Sequence, residues 1–312
     1  MTKHKKIGSS ILDCVGSTPL IALDRFAPPT AGGGRVFGKL ELMNPYSVKD
    51  RPALTMLTEA ESRGDITPGK TTILEATSGN TGIGLAMVCA VKGYELVLCM
   101  SEAMSDERKK MLIALGARLE LTPRQLHTKG ARERVRELET QIPNSYYIHQ
   151  HDNPDNVGAH VTGTAEELWE QTSGLIDVFV AGLGTCGTIS GVSKQLRTKK
   201  AELHVVGVEP NEAPYFQTGH FEPHRIPGVV PGFTPKLYQA ELIDEIVDIP
   251  AERAWSAVRE LARTEGILAG ISSGATAAVA RDLAQRKEFA NKMIVAVLAD
   301  PGERYLSVEG LF

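Results

Sequence analysis

Residues 72–82, Thr72-Ile73-Leu74-Glu75-Ala76-Thr77-Ser78-Gly79-Asn80-Thr81-Gly82, join a strand to a helix and set the pattern for the rest of the chain. Residues 72–76 form a short apolar run that is typical of a buried strand, and 83–92 predict a buried helix that ends at Gly93. The loop between them carries two glycines and four hydroxyl or amide side chains. Because one such side chain is enough to cap a helix, we interpret the loop as an anion site for a carboxylate or phosphate.

The same alternation of strand and helix continues along the chain and predicts an α/β fold with parallel sheets covered by helices on both faces. We expect two three-layer α/β/α domains with mostly parallel sheets, divided near residue 150. In such sheets, ligands bind at the carboxyl ends of the strands, so the loops that follow strands are the places to look for chemistry. Further strands are predicted over 95–99, 118–121, 146–149, 177–181, 204–209, 245–249 and 293–299, and further helices over 105–115, 128–141, 158–172, 188–197, 251–265 and 273–286.

Composition and charge exclude several classes of partner. Of the 312 residues, 42% are apolar and 23% are charged, as in an ordinary globular protein, and the net charge of −4 gives no electrostatic case for nucleic acid or an anionic membrane. No apolar run reaches the roughly 20 residues that a membrane span needs. The basic start, residues 1–6, is not followed by the apolar segment of a secretory signal. Four scattered cysteines without a C-x-x-C pair indicate reduced thiols, so we expect a cytoplasmic protein.

Lys49 is the candidate catalytic residue. It stands in Ser47-Val48-Lys49-Asp50-Arg51-Pro52, directly before an amphipathic run over 53–60 that predicts a helix ending at Gly64. The positive end of the helix dipole and the nearby Arg51 disfavour an ammonium ion, which would lower the pKa of Lys49. A lysine of this kind can form a Schiff base with a carbonyl cofactor. A solvated lysine near a helix start is the alternative that this stretch alone leaves open.

A second glycine-rich loop, Gly182-Leu183-Gly184-Thr185-Cys186-Gly187-Thr188, allows two interpretations. Its glycines match G-x-G-x-x-G, and Glu209 ends the next strand about 20 residues on, where the dinucleotide fingerprint has its ribose-binding acid. Thr185 and Thr188, however, supply hydroxyls suited to a terminal monophosphate, and a dinucleotide leaves Lys49 without a role.

A third loop, over 270–275, precedes an Ala-rich helix. We expect Ser273 to cap this helix, which leaves Ser272 for another contact.

Taken together, these motifs resemble the fold-type II pyridoxal phosphate enzymes of the cysteine synthase and cystathionine β-synthase family. They occur in the family's order and cover nearly the whole chain. The stretches that carry the resemblance are 16–20 (GSTPL), 47–51 (SVKDR), 77–82 (TSGNTG), 104–108 (MSDER), Gln150 with Asn153-Pro154, 184–188, 270–275 and 302–307 (GERYLS).

The resemblance assigns a role to each candidate residue. Lys49 forms the internal aldimine with pyridoxal 5′-phosphate and acts as the general base, and no metal is expected. The resemblance also implies an N-terminal domain over 38–152 with a mobile lid at about 84–131, and a C-terminal domain of 1–37 and 153–312. Asn80, the phosphate loop of Gly184, Thr185, Cys186, Gly187 and Thr188, and Ser272 opposite the pyridine nitrogen would bind the cofactor, while Thr77, Ser78, Gly79, Thr81, Gln150 and Gly228 would bind the amino-acid substrate.

The implied reaction is a β-replacement by a transferase or lyase. An O-activated L-serine, O-acetylserine or O-phosphoserine, loses its leaving group to give an aminoacrylate, and sulfide then adds to yield L-cysteine. The same chemistry with cyanide or homocysteine, as in a β-cyanoalanine synthase or a cystathionine β-synthase, is the alternative. A dinucleotide-dependent oxidoreductase built on 182–187 and Glu209 is the remote one. The resemblance further implies a homodimer that acts on small molecules in amino-acid biosynthesis.

The sequence departs from the family's pattern at two places. Only Tyr46 stands between Pro45 and Ser47, where family members usually have two residues, so the wall near the leaving group is expected to be reshaped. Cys186 replaces a common glycine in the phosphate loop. Since a main-chain N–H is available from either residue, we expect phosphate binding to persist.

Overall fold

A computed structural model describes residues 7–77 and 79–312 of the chain, without the side chain of His127. They form two compact units, residues 7–15 with 44–156 and residues 16–43 with 157–312. The predicted domains were 38–152 and 1–37 with 153–312; the structure instead has 7–15 and 153–156 in the N-terminal unit and 38–43 in the C-terminal unit. Leu12 and Val15 pack against the apolar core of the N-terminal unit, which accounts for the difference over 7–15.

Strands and helices alternate as the sequence predicts. The strands are β1 Leu20–Ala22, β2 Arg35–Lys39, β3 Thr72–Ala76, β4 Glu95–Ser101, β5 Arg118–Thr122, β6 Ser145–Tyr147, β7 Ile176–Gly182, β8 His204–Pro210, β9 Glu245–Ile249 and β10 Met293–Val297. The helices are α1 Asp50–Arg63, α2 Asn80–Lys92, α3 Asp106–Ala114, α4 His127–Gln141, α5 Pro154–Ala159, α6 Ala165–Gln171, α7 Gly187–Arg197, α8 Tyr215–Thr218, α9 Ala251–Glu265 and α10 Ile271–Ala284.

The N-terminal unit is built on a four-stranded parallel sheet in the order β5-β4-β3-β6. Side chains from alternate positions of the strands feed two separate cores. Ile73 and Leu98 pack with α1 and α2 on one face, and Leu74 and Val97 pack with α4 on the other. With helices on both faces, β3 is buried at all five of its positions.

The C-terminal unit is built on a six-stranded sheet in the order β1-β2-β10-β7-β8-β9. All neighbours run parallel except β1 and β2, a short antiparallel pair that the sequence analysis did not anticipate. Val178 and Val206 face the core formed with α9 and α10, whereas Phe179 and Val205 face the core formed with α7. Each unit is therefore a three-layer α/β/α domain with a mostly parallel sheet, which confirms the predicted fold class.

Several element ends differ from the predictions. Helix α2 begins at Asn80 rather than at residue 83, and α10 begins at Ile271 rather than at 273. The helix expected over 158–172 is interrupted by the π-helical turn His160–Thr164. The predicted helix ends at Gly64 and Gly93 are confirmed, since both adopt left-handed conformations that stop a helix. Among the described residues, no helix is both long enough and apolar enough to cross a membrane.

Candidate active site

Lys49 lies one residue before α1, at its N-cap, and its position is held by a network of main-chain contacts. The carboxylate of Asp50 accepts hydrogen bonds from the N–H groups of Tyr46 (2.7 Å) and Ser47 (3.0 Å). The Ser47 hydroxyl accepts one from the Lys49 N–H (3.2 Å). A Cβ atom on Gly84 of α2 would approach the Lys49 carbonyl oxygen to 3.1 Å. The turn before α1, including the shortened segment at Tyr46, is therefore well fixed.

The loop after β3 enters α2 earlier than predicted, so part of it belongs to the first turn of the helix. Gly79 is the N-cap and donates its N–H to the Thr77 hydroxyl (3.2 Å). The positive end of the α2 dipole lies at this loop, which makes the start of the helix suited to an anion. Ser78, the remaining predicted substrate-binding residue of this loop, lies outside the described residues.

Thr81 and Gln150, predicted from separate stretches of sequence, are brought together by the structure. The Thr81 hydroxyl donates to the Gln150 side-chain oxygen at 2.6 Å, and both residues are buried. The Gln150 main-chain and side-chain N–H groups donate to Glu75. Glu75 was not among the predicted site residues, although a carboxylate in a buried strand directly before the loop was a sequence signal for it.

The glycine-rich loop after β7 is shaped by close main-chain packing. A Cβ atom on Gly184 would lie 2.4 Å from the carbonyl oxygen of Gly228, a contact that only glycine permits. Cys186 caps α7 with φ of 66°, in the left-handed region, which explains the family's preference for glycine there. The N–H groups at the start of α7 follow directly, and this arrangement is suited to a phosphate.

Thr188, in the first turn of α7, contacts a histidine that the sequence analysis did not single out. Its hydroxyl lies 3.1 Å from Nε2 of His160, whose Nδ1 lies 2.9 Å from the hydroxyl of Thr164. His160 is buried on the π-helical turn. Such turns are often found at functional sites, and this one positions the side chain of Thr188, the last residue of the glycine-rich loop.

Ser272 lies in the first turn of α10, whose N-cap is Gly270. The expectation that Ser273 caps this helix is wrong, because its hydroxyl instead accepts the N–H of Ala299, just beyond β10 (2.8 Å). The Gly270 N–H donates to the carbonyl of Asp300 (2.8 Å). These two bonds place the start of α10 at the carboxyl end of β10, the strand next to β7. The starts of α7 and α10 therefore lie at the same edge of the sheet.

Glu209 does not have the role that a dinucleotide-binding site requires. It is fully buried, and its carboxylate accepts the N–H of Phe216 (2.8 Å) and the side-chain N–H of Gln217 (3.0 Å) at the start of α8. Its hydrogen bonds thus serve the local fold. The structure therefore does not support the oxidoreductase alternative.

A mostly parallel sheet with two helix N-termini at the carboxyl ends of its strands, one of them behind a glycine-rich loop, is typical of α/β proteins that bind a phosphorylated ligand. The chain belongs to the pyridoxal-phosphate dependent enzyme family, whose sequence model matches residues 11–300. Cysteine synthase B of Campylobacter jejuni is 43% identical over 305 residues, which span 97% of this chain and 99% of that protein.

Solved structures agree with this family. The chain is similar to the crystal structure of cysteine synthase from Entamoeba histolytica, with a TM-score of 0.96, 37% identity and coverage of 100% of this chain and 93% of that one. It is also similar to an O-acetylserine dependent cystathionine beta-synthase from Helicobacter pylori, with a TM-score of 0.92, 34% identity and coverage of 99% and 100%. The cofactor is pyridoxal 5′-phosphate, as expected from the resemblance.

Proposed function

We propose that this enzyme performs a β-replacement on an O-activated L-serine, with sulfide as the nucleophile and L-cysteine as the product. The observation that carries the proposal is the 43% identity, over nearly the full length, to a cysteine synthase. The donor is O-acetylserine or O-phosphoserine. When bound, pyridoxal phosphate supplies an electron sink for the bond changes at Cα and Cβ of the amino acid.

Lys49 would hold the cofactor through its Nζ, and the same amine would act as the general base for the Cα proton of the amino acid. Its place at the start of α1, fixed through Asp50 and Ser47, supports this role because proton transfer requires a positioned base. The N–H groups and hydroxyls of the loop over 77–81, together with Gln150, hold the substrate carboxylate. Gly228 lies beside the amino group of the substrate.

The remaining cofactor contacts come from two helix starts and from Asn80. Gly184, Thr185, Cys186, Gly187 and Thr188 bind the phosphate, where the positive end of the α7 dipole favours an anion. Asn80 would donate to the phenolate oxygen of the ring. Ser272 would lie opposite the pyridine nitrogen. A hydroxyl at a helix N-terminus does not stabilise a protonated ring nitrogen, which favours elimination at Cβ over transamination.

Cystathionine formation is a second candidate, because the H. pylori enzyme matches this chain over nearly its whole length. In that case the same donor chemistry would be followed by attack of homocysteine in place of sulfide. Cyanide is a third nucleophile that the same chemistry would accept. Steady-state assays that pair each donor with each nucleophile separate these candidates by kcat/KM.

We further propose that the enzyme is a cytoplasmic homodimer. Free cysteines, three of them buried, support a reducing compartment. Sedimentation of the purified protein tests the dimer.

Lys49→Ala tests the proposed function directly. The variant should fold, because Lys49 is only half-buried, but it should lose covalently held cofactor and nearly all turnover. The measurement is the visible absorbance of the purified protein before and after borohydride, together with cysteine formation. Lys70→Ala, at an exposed lysine of the same unit, is the control and should retain both properties. A Lys49→Ala variant that keeps a borohydride-reducible cofactor would show that another residue holds it.

A further inference from the structure

Glu75 is a buried carboxylate for which the proposed mechanism has no use. It lies near the end of β3, two residues before the loop that begins at Thr77, and is 1% exposed. One carboxylate oxygen accepts the Ala76 N–H (2.9 Å) and a side-chain N–H of Gln150 (3.4 Å). The other accepts the main-chain N–H of Gln150 (3.1 Å). The carboxyl group of Glu75 is thus held in the sheet by three N–H donors, two of which belong to Gln150.

Gln150 connects this carboxylate to the substrate-binding loop. Its side-chain oxygen accepts the Thr81 hydroxyl at 2.6 Å, while its side-chain nitrogen faces Glu75. In this orientation the Thr81 O–H points to Gln150 and an amide N–H of Gln150 points to Glu75, so both groups are used inside the protein. A substrate carboxylate at the start of α2 would compete with Glu75 for the Gln150 amide, because both are acceptors only when ionised.

The surroundings of Glu75 bring the pKa of its carboxyl group close to neutral pH. Burial raises the pKa of Glu75 to about 7, although the N–H groups of Gln150 and Ala76 and the charge of Arg132 on α4 oppose this rise. The other titratable groups that act on it are Tyr147 on β6 and Cys99 on β4, and burial raises the pKa of both. Both are therefore neutral near pH 7, and Arg132 is the cation among these neighbours.

We propose that Glu75 takes up a proton from solvent when an amino-acid carboxylate binds at the start of α2, and that neutral Glu75 releases the Gln150 amide to that carboxylate. The inference rests on the proposed substrate role of 77–81 and Gln150. The added proton turns one oxygen of Glu75 into a donor for the Gln150 side-chain oxygen. The amide can then turn its N–H groups toward the substrate. Glu75 is a positioning residue, since it acts through Gln150.

Electrostatic repulsion sets the expected effect of Glu75 ionisation on substrate affinity. The hydrogen bonds from Glu75 through Gln150 to Thr81 put a bound carboxylate within roughly 10 Å of Glu75, where two negative charges at an effective dielectric constant of about 20 weaken binding by about tenfold or more. Protonation of Glu75 removes this repulsion. Substrate affinity should therefore fall as pH rises and Glu75 becomes ionised.

Glu75→Gln, which imitates the neutral carboxyl, tests this coupling in the holoenzyme. L-Serine, which lacks an activated leaving group, is titrated into both proteins while the absorbance of the bound cofactor is followed. Titration of the amino group of L-serine affects the Kd of both proteins equally, so it cancels in the ratio of the wild-type Kd to the variant Kd. We expect this ratio to rise about tenfold between pH 6 and pH 9. A ratio that is constant or falls with pH would overturn the proposal.

Glu209→Gln is the matched control. Glu209 is also fully buried, ends a strand and accepts main-chain and glutamine N–H groups, but it lies in the C-terminal unit. The ratio of the wild-type Kd to that of this variant should not change with pH. A pH-dependent ratio for Glu209→Gln as large as that for Glu75→Gln would refute a specific role of Glu75.

A second measurement uses the wild-type protein and so does not depend on the folding of a variant. Infrared difference spectra at about pH 8 should show a new carboxylic-acid band when L-serine is added, and Glu75→Gln should abolish it. Absence of the band in wild type at saturating L-serine would refute proton uptake. Failure of the proposed function looks different, because L-serine would then leave the cofactor spectrum of the wild-type protein unchanged at every pH.

Discussion

Glu75→Gln should also change how the stability of the protein depends on pH. In the folded protein, burial raises the pKa of Glu75 to about 7, whereas the ordinary value of 4.5 applies to the unfolded chain. The folded state therefore binds the proton more tightly. The stabilising contribution of this protonated carboxyl is complete below about pH 4.5 and is lost as pH rises through 7.

The two pKa values set the size of the effect. One pKa unit corresponds to about 1.4 kcal/mol, so the wild-type protein should lose about 3 kcal/mol of unfolding free energy between pH 4.5 and pH 8 through Glu75. The Glu75→Gln variant carries no charge at this position, so its unfolding free energy should not show this loss. Full burial of Glu75 means that solvent screens this effect very little.

Urea unfolding at a series of pH values, followed by far-ultraviolet circular dichroism, measures the effect. Circular dichroism is preferred because Trp169 and Trp255, the two tryptophans of the chain, both lie in the C-terminal unit. The unfolding free energy of the variant minus that of wild type should increase by about 3 kcal/mol across this range. Glu139→Gln, at an exposed position of α4, is the control. Parallel pH profiles for wild type and Glu75→Gln would refute the reasoning.

Four further predictions concern single features of the chain. Ser272→Asp should slow turnover more than Ser272→Ala, because a carboxylate stabilises a protonated ring nitrogen; equal spectra and rates would place Ser272 away from the ring. Cys186→Gly should raise the free energy of unfolding by about 1 kcal/mol, since φ of 66° strains a side-chain-bearing residue, and an unchanged urea midpoint would contradict this. His151→Asn should reduce the loss of stability as pH falls from 6.5 toward 4, because burial lowers the pKa of His151 to about 4, and unfolding at several pH values tests it. Hydrogen exchange over 84–131 should slow with a slow amino-acid analogue but not with cofactor alone; unchanged protection would remove the lid from the mechanism.

Eight of the ten strands in the described part of the chain and several helix ends were predictable because their signals are local. Short apolar stretches mark β3 and β4, and the left-handed residues Gly64 and Gly93 end helices where the sequence predicts. Two helix starts were predicted too late for a related reason. Gly79 and Gly270 cap α2 and α10 without a side chain, so the Ser and Thr residues that follow them were interpreted as loop or cap.

The hydrogen bonds within the site were not predictable from local patterns. Glu75 and Gln150 are 75 positions apart and meet because β3 and β6 are neighbours in the sheet. The resemblance to a family supplied Gln150 but not Glu75. Likewise, the contact between Thr188 and His160 depends on a π-helical turn, for which the sequence offered no signal.

The arrangement of the two helix starts in the C-terminal unit bears on the type of reaction. The starts of α7 and α10 lie at the same sheet edge because β7 and β10 are neighbours. Both present the positive end of a helix dipole, which would favour the proposed phosphate at α7 and disfavour a proton on a ring nitrogen at the proposed position near Ser272 of α10. An aspartate at that place would offset the dipole, whereas a serine does not. With Ser272 in its proposed role, the fold and the side chain would favour the same outcome, a weaker electron sink suited to elimination and replacement at Cβ.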